Sequence, residues 1–226
     1  MRRPAGLTDA DMSAVIRLWK CLYGLPHAPA TFRKHSHAAL RSLGYTPTVS
    51  DPRLYVKINV DDTKVYIAVH VDDFGIAASN MSLMKAVVAQ IRAFYQCVEG
   101  DLDFYLGVKV VRDRVKRTIT ISQPGYLDDL RAGYGITSTK GPLTPMVDKP
   151  RELESATNPR LNAAGIQLYQ SKVESTLWAA IGTRPEVQFA TNIYSRYSKS
   201  PLRGDMETID RVLDYLVNTT DFGLGM

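Results

Sequence analysis

Cysteine is scarce in this sequence, which has only Cys21 and Cys97 among its 226 residues. Two cysteines build neither a disulfide framework nor a cysteine-rich zinc site, so the small stapled domains of secreted proteins are excluded. Low cysteine use is typical of proteins that stay in a reducing compartment. The sequence therefore predicts an intracellular protein whose fold depends on a hydrophobic core.

Long apolar runs are missing as well. No uninterrupted hydrophobic stretch approaches the roughly 20 residues that cross a bilayer, so no membrane partner is expected. The first residues, "MRRPAGLTDADMS", carry arginines without a following apolar stretch, so no signal peptide is predicted.

A strong charge is also lacking. The net charge of +5 fits a polyanionic partner, but it fits many proteins that bind no nucleic acid equally well.

The sequence does contain strand-like and helix-like segments, with the strands in its first half and mainly helices in its second half. Helical spacing runs through "APATFRKHSHAALRSLGY" and "SLMKAVVAQIRAFY", and the strands "LYVKINV", "KVYIAVHV" and "FGIAAS" lie between them. A hairpin, "FYLGVKVVRDRVKRTITIS", and a short helix, "PGYLDDLRAGYG", follow. Residues 137–165 carry four prolines and little periodicity, which predicts a linker. Further helices are predicted at Leu168 to Ile181, Pro185 to Tyr197 and Met206 to Leu216. The pattern predicts an α+β fold.

The tripeptide Val-Asp-Asp occurs twice, at Val60–Asp62 and at Val71–Asp73. The first copy joins strands that alternate apolar and polar residues, which predicts an exposed hairpin tip where aspartates form the turn. The second copy lies between the nearly apolar segments "VYIAVHV" and "FGIAA", which predict central strands covered on both faces. Paired carboxylates beside a buried sheet are compensated most simply by a divalent cation with oxygen ligands. A buried turn capped by backbone N–H groups is the alternative that the spacing leaves open.

Several ordered stretches resemble the reverse transcriptases of copia-type retrotransposons. "VHVDDFGIAAS" is similar to their "Y-V-D-D" signature, and "LWKCLYGLPHAPATF" is similar to their "L-K-K-A-L-Y-G-L-K-Q-A-P-R-x-W" stretch. "SDPRLYV" precedes the aspartate pair at the usual distance. The stretches that follow in family order are "GDLDFYLGVKV", "ITISQPGYL", "PLTPM", "GTRPEVQFA", "SRYSKSP" and "RVLDYLVNTTDFGLG". Each stretch alone is weak evidence for the resemblance, whereas the whole series in family order is highly specific.

The resemblance implies the right-hand fold of these polymerases. Residues 1–136 would form partial fingers, the palm with its antiparallel sheet and packed helices, and the start of the thumb. Residues 137–165 would be a linker, and residues 166–226 would be thumb and connection helices leading toward an absent ribonuclease H domain. The family's "Q-P-P-G-F" stretch appears as "RRPAGL" at the start. This implies an N-terminally truncated chain that lacks most of the fingers and the strand with the first catalytic aspartate. Asp9 and Asp11 follow the "RRPAGL" match and are not expected to take the place of that catalytic aspartate.

The resemblance also implies a set of site residues. In the family, three carboxylates bind two Mg²⁺ ions, with Mn²⁺ as a possible substitute, and one ion activates the primer 3′-hydroxyl. Asp72 would be the main ligand and Asp73 its supporting carboxylate. Residues expected to border the nucleotide and the template are Tyr23, Gly24, Leu25, His27, Ala28 and Pro29. Leu106 and Gly107 fall where the primer-gripping hairpin begins. The cations expected to contact phosphates of an RNA or DNA template–primer are Lys109, Arg112, Arg114, Lys116 and Arg117. A solvated hairpin end is the alternative for each cation.

This chain departs from the family pattern at scattered positions. The family's glutamine and arginine in the "K-Q-A-P-R" motif are His27 and Ala30 here, which removes a donor fork suited to phosphate. A tyrosine is His70, a glycine is Glu174 and a histidine is Asp205. These changes predict a decayed or truncated element copy. Because the first catalytic aspartate is expected to be absent, the chain is predicted not to polymerise DNA alone. The expected location is the cytoplasm, the nucleus or a virus-like particle. The missing upstream polyprotein segment is a possible partner.

Two alternative functions remain open at the level of sequence. The first is a non-catalytic nucleic-acid-binding or scaffold remnant of a degenerate or domesticated element. The second is a metal-dependent glycosyltransferase, because Asp101 and Asp103 form the Asp-x-Asp pattern of those enzymes. That pattern is short and common, and both aspartates are predicted to face solvent at the start of a strand. The remnant is therefore the alternative that the sequence favours.

Overall fold

The computed structural model describes residues 24–147 and 151–226 of the chain. The chain divides into two compact units, Met1–Gly100 and Asp101–Met226. In the described residues each unit combines helices with an antiparallel sheet, which confirms the predicted α+β class. The functional division at residues 136 and 166 stays a prediction.

In chain order, the four strands of the first unit lie between two helices. The elements are α1 (Ala28–Ser42), β1 (Thr46–Pro47), β2 (Leu54–Ile58), β3 (Lys64–His70), β4 (Asp73–Ala78) and α2 (Met81–Arg92). The strands are antiparallel, and each lies beside its chain neighbour. Pro29 suits the first turn of α1, and Asn80 begins α2 by accepting a hydrogen bond from the N–H of Leu83 at 2.8 Å. The periodicity predicts both helices and the three longer strands, whereas β1 is too short to give a pattern.

The core of the first unit lies on one face of its sheet. Val65, Ile67 and Val69 of β3 are buried, while Tyr66 on the opposite face is 42% exposed. The other core side chains are Leu40, Tyr45, Tyr55, Val87 and Ile91. Within the described residues β4 pairs only with β3, so the prediction of central strands covered on both faces is wrong there. Alanine and tyrosine are tolerated on exposed faces, so an apolar run of letters did not require two buried faces.

The second unit begins with a hairpin sheet and continues with helices. Its strands are β5 (Phe104–Tyr105), β6 (Val108–Asp113), β7 (Thr118–Ser122) and β8 (Leu224–Gly225), antiparallel in that spatial order. Its helices are α3 (Pro124–Gly133), α4 (Ala163–Gly182), α5 (Gln188–Ser195) and α6 (Arg203–Val217). A 3₁₀ turn, Pro185–Val187, precedes α5. No helix in the described parts of the chain combines the length and apolarity needed to cross a bilayer.

The helices of the second unit share one hydrophobic core. Helix α6 buries Ile209, Val212, Leu213 and Leu216, as its spacing predicts, and Met206 packs at the margin. The main partners from the other helices are Leu127, Leu130, Tyr169, Val173, Ala180, Val187, Ala190 and Tyr194. The Tyr169 hydroxyl donates to the Tyr194 carbonyl at 2.7 Å, and burial raises the pKa of Tyr169. The core therefore ties α4 and α5 to α6.

The described part of the predicted linker is an irregular segment, held to the helices by hydrogen bonds, up to the start of α4. Asn158 is buried, and its side-chain oxygen accepts a hydrogen bond from the N–H of Gly204 at 2.8 Å. Arg160 forms an isolated antiparallel bridge with Leu202. Helix α4 begins at Ala163, earlier than the predicted Leu168, because Asn162 accepts the N–H of Gly165 at 2.9 Å.

Candidate metal and nucleic-acid site

The second Val-Asp-Asp copy forms a tight hairpin turn between β3 and β4. His70 pairs with Asp73, which leaves Val71 and Asp72 as a two-residue loop. The backbone φ of Val71 is 50°, in the left-handed region. A positive φ at the first loop position but not at the second, as in Val71 and Asp72, is the signature of a type II′ turn, where glycine is the usual first residue. A β-branched valine there is strained, and such strain clusters at functional sites.

The first Val-Asp-Asp copy is a structural turn. The carboxylate of Asp61 accepts the Thr63 hydroxyl at 2.7 Å and the Thr63 N–H at 3.2 Å. These two hydrogen bonds from Thr63, led by the hydroxyl, hold the pKa of Asp61 below its usual value. Asp62 carries the positive φ of this turn, at 61°, a conformation that aspartate tolerates. The predicted exposed tip with turn-forming aspartates is confirmed.

Asp72 and Asp73 are exposed in the described structure, as Asp61 and Asp62 are. The predicted turn location of the second pair is confirmed, and its predicted burial is wrong. Among the described residues, no hydrogen bond or ion pair engages the carboxylates of Asp72 and Asp73. The described parts of the chain also contain no group of three or more histidine, cysteine, aspartate or glutamate side chains arranged to hold a metal ion.

A second strained turn joins β5 to β6. Tyr105 pairs with Val108, and the two loop residues, Leu106 and Gly107, have φ values of 52° and 80°. Two positive φ values define a type I′ turn, for which asparagine and glycine are the preferred residues. Leu106 therefore holds a conformation that costs a non-glycine residue about 1–2 kcal/mol. Leu106 and Gly107 are the residues predicted to begin the primer-gripping hairpin.

The predicted nucleotide-bordering stretch leads into helix α1. Tyr23 lies outside the described residues. Gly24 has a φ of 88°, and the carbonyl of Leu25 accepts the N–H of Ala28 at 3.0 Å, which starts the first helical turn. The carbonyl of His27 accepts both the N–H and the hydroxyl of Thr31, each at 3.1 Å. The exposed positions from Gly24 to Ala30 are Gly24, Pro26, His27, Pro29 and Ala30.

The predicted phosphate-contacting cations are exposed, but they do not share one surface. Lys109 and Arg112 are an odd number of residues apart on β6, so their side chains leave opposite faces of the sheet. Arg114, Lys116 and Arg117 lie in the turn between β6 and β7. Lys116 also lies 3.8 Å from the carboxylate of its neighbour in β6, Asp113. The hairpin tip is therefore the part with the densest positive charge.

An aromatic cluster behind the Asp73 turn was not predicted. The Phe74 ring, directly after Asp73, lies 6.1 Å from the Phe32 ring and 5.4 Å from the Tyr95 ring. The Tyr95 hydroxyl is hydrogen-bonded to Nδ1 of His35 at 2.7 Å. The cluster holds the start of β4 against α1. Its residues are far apart in the sequence, so no local pattern predicts that they meet. The aromatic residue types are the one indication that the sequence offers.

The Asp-x-Asp pair lies at the edge of the second sheet. Asp101 and Asp103 are both exposed, and the backbone carbonyl of Asp103 accepts the N–H of Val110 at 2.8 Å. Their predicted position at a solvent-facing strand start is confirmed.

The chain belongs to the reverse transcriptase family. The family model described as Reverse transcriptase (RNA-dependent DNA polymerase) matches residues 1–148. No solved structure matches the chain significantly.

The relatives include Pol polyproteins of copia-type transposons, which confirms the predicted group. The Retrovirus-related Pol polyprotein from transposon RE2 of Arabidopsis thaliana is 31% identical over 232 residues, covering 99% of this chain and 15% of its own length. The polyprotein from transposon TNT 1-94 of Nicotiana tabacum is 26% identical over 226 residues, covering 97% of this chain and 17% of its own. The Putative transposon Ty5-1 protein of Saccharomyces cerevisiae is 28% identical over 231 residues, covering 97% of this chain and 70% of its own. The chain thus spans only 15% to 17% of these two Pol polyproteins.

The strain at Val71 gives a first testable prediction. We expect Val71→Gly to stabilise the first unit by about 0.5–1 kcal/mol, because relief of the left-handed conformation outweighs the added chain entropy of glycine. Val60→Gly is the matched control, since Val60 occupies the same place in the other copy without a positive φ. It should destabilise by a similar amount. Hydrogen-exchange protection of the β3 amides measures both, and equal losses in the two variants would contradict strain at Val71.

Proposed function

We propose that this chain is a segment of a retrotransposon RNA-directed DNA polymerase, and that it contributes the Asp72–Asp73 turn and the primer-holding hairpin. One observation carries the proposal. Among the described residues, the aliphatic side chains with positive φ are Val71 and Leu106, and they lie in the two turns that the family resemblance assigns to metal and primer. Strained turns are retained where the surrounding structure and function require them.

The donor chemistry of Asp72 and Asp73 fits Mg²⁺ or Mn²⁺, because both ions prefer carboxylate oxygens. Bound there, a divalent ion would supply Lewis-acid activation of the primer 3′-hydroxyl and of the nucleotide phosphates for nucleotidyl transfer. Asp72, in the loop, would be the main ligand, and Asp73, at the first position of β4, the supporting one. The aromatic cluster around Phe74 would keep Asp73 in place.

The other site residues take the roles that the family pattern gives them. The stretch Gly24–Pro29 would border nucleotide and template, and Leu106 with Gly107 would position the primer end. In this proposal the palm, with partial fingers and the start of the thumb, covers residues 1–136. Residues 166–226 then form thumb and connection helices after the 137–165 linker. Primer extension by Asp72→Asn in a fusion to an upstream copia-type segment, with Asp61→Asn in the same fusion as control, tests the assignment.

Nucleic-acid binding by this chain should be weak, independent of sequence and strongly dependent on salt. The exposed cations of the hairpin tip would contact phosphates and release counterions. For about three phosphate contacts, the affinity should fall roughly 40-fold between about 50 mM and about 200 mM salt. Fluorescence anisotropy with a labelled RNA–DNA template–primer measures this dependence.

A charge variant sharpens the salt test. Arg114→Gln combined with Arg117→Gln should reduce the salt slope by about two, since each removes about one phosphate contact. Lys34→Gln combined with Lys85→Gln removes the same charge from α1 and α2 and should leave the slope unchanged. An equal change of slope in both double variants would show that net charge, and not the hairpin, governs binding.

A non-catalytic nucleic-acid-binding remnant is the second candidate. It is favoured by His27 and Ala30, which replace the family's glutamine and arginine at exposed positions. Arginine can contact a phosphate through two parallel hydrogen bonds, and alanine cannot. A remnant would bind template–primer but would not extend it, even when an upstream segment of the family is supplied.

A further inference from the structure

The C-terminal residues close one edge of the hairpin sheet. Strand β8 pairs antiparallel with β7. The N–H of Ile119 in β7 donates to the carbonyl of Met226 at 2.9 Å, and the N–H of Met226 donates to the carbonyl of Ile119 at 2.8 Å. The sheet that carries Leu106 and Gly107 is therefore hydrogen-bonded to the segment that leaves α6.

Gly223 allows this segment to approach β7. A Cβ atom at Gly223 would lie 2.5 Å from the carbonyl oxygen of Ile121 and 3.1 Å from Cβ of Ser122. The carbonyl oxygen belongs to the paired strand and cannot move without disturbing the sheet, so only glycine fits. Gly225, two residues later, has open space at its Cβ position.

Arg184 fixes the other end of the same segment. Its side chain is 1% exposed. The guanidinium donates to the carbonyl and the hydroxyl of Thr219, at 3.0 Å and 2.5 Å, and to Glu186 at 2.6 Å. It also lies 5.5 Å from the ring centroids of both Tyr215 and Phe222. A buried cation at the end of α6 suits the negative end of the helix dipole, and it holds the first residues of the return segment.

We propose that Arg184 and Gly223 form a tether that positions the β5–β8 sheet against the helices of the second unit. Through the tether, the "GTRPEVQFA" stretch, which no proposed site role uses, would set where Leu106 and Gly107 meet the primer end. Arg184 and Gly223 are then positioning residues that touch no substrate. This inference rests on the proposed function only for the identity of what the hairpin holds.

Gly223→Ala tests the tether in the full 226-residue chain. The added Cβ should expel β8 from β7, so the amide of Ile119 should exchange with solvent about tenfold faster or more. The amides of the α4 and α6 core should keep their protection, because Gly223 lies outside that core. Gly225→Ala is the matched control and should change the exchange of Ile119 by less than about twofold. Equal exchange at Ile119 in the two variants would overturn the tether.

A binding readout tests the positioning role. With a labelled RNA–DNA template–primer as probe, Gly223→Ala should weaken binding about fivefold. It should also reduce the ratio of the affinity for template–primer to the affinity for the unprimed template. The salt slope should stay unchanged, because the cations of the hairpin tip are all present. A general loss of structure would instead reduce binding to both probes and lower core protection.

Arg184→Lys provides an independent second variant. Lysine keeps the charge but loses the planar fork, so it should also speed exchange at Ile119 while Arg196→Lys on the surface does not. Faster exchange at Ile119 with unchanged template–primer preference would overturn the positioning role. If the unmodified chain binds no template–primer at all, the proposed function fails, and the exchange data still decide on the tether.

Discussion

Primer extension should be absent from the 226-residue chain with either Mg²⁺ or Mn²⁺, and it should appear when an upstream copia-type segment with a further catalytic aspartate is fused to it. Phosphoryl transfer of this type uses metal ions that face both the attacking and the leaving oxygen. Asp72 and Asp73 project from one turn, so together they cannot hold two ions at the required separation. The described residues offer no third ligand beside them.

The fused protein allows a matched comparison within one sequence. We expect Asp72→Asn to reduce extension about a thousandfold, which corresponds to about 4 kcal/mol of transition-state stabilisation. Asp61→Asn changes the corresponding aspartate in the other Val-Asp-Asp copy, where the carboxylate only accepts hydrogen bonds from Thr63, so extension should be unaffected. The measurement is single-turnover extension of a labelled DNA primer on an RNA template.

Three other outcomes are informative. Extension by the unfused chain that disappears in Asp72→Asn would show that this chain holds a complete site. Equal loss in Asp61→Asn and Asp72→Asn would reject the distinction between the two turns. A fused protein that binds template–primer without extending it would favour the remnant function and would point to His27 and Ala30 as disabling changes.

Elements with a repeated spacing could be predicted from the sequence. Helices α1, α2 and α6 each bury residues at helical spacing, so their apolar letters alone located them. The ordered family stretches likewise identified the Asp72–Asp73 turn, in a chain that is 26% to 31% identical to the two Pol polyproteins. The prediction missed the early start of α4 at Ala163, although Asn162 is a typical N-cap residue and could have marked it.

Other features depend on contacts that the sequence does not express. Val71 and Leu106 adopt conformations that their own side chains disfavour, so propensity argues against them. Strand β8 consists of Leu224 and Gly225, and only its distant partner β7 makes it a strand. The exposed face of β3 looked buried because tyrosine and alanine fit either environment.

Loss of the Arg151–Asp205 ion pair should destabilise the second unit strongly. Asp205 lies in the first turn of α6, and its side chain is 5% exposed. Nε and Nη2 of Arg151 donate to it at 2.9 Å and 2.6 Å, and the guanidinium lies 4.0 Å from the ring centroid of Tyr197. Arg151→Met would leave a buried carboxylate without its counterion. We expect a loss of about 2–3 kcal/mol, below the full range for buried pairs because Arg151 is 36% exposed.

The pH dependence of this contribution follows from the direction of the shift. The hydrogen bond to Asp205 raises the pKa of Arg151. A raised pKa of a cation gives stability that is present below the unfolded pKa and is lost only as the pH rises through the folded value. Arginine titrates above about pH 12, so Arg151 stays charged between about pH 6 and about pH 9, and its own titration adds no pH dependence to the stability of the unmodified chain in that range.

Two comparisons separate the buried pair from ordinary charge loss. Arg160 and Glu154 form an exposed pair with the same shortest distance, 2.6 Å, so Arg160→Met should cost no more than about 1 kcal/mol. Adding Asp205→Asn to Arg151→Met removes the unpaired charge and retains an oxygen for the N–H of Leu202, which Asp205 accepts at 2.7 Å. The double variant should therefore recover at least about 1 kcal/mol of the loss. Urea unfolding followed by circular dichroism measures all three. A double variant less stable than Arg151→Met would mean that Arg151 acts through its packing on Tyr197 and not through its charge.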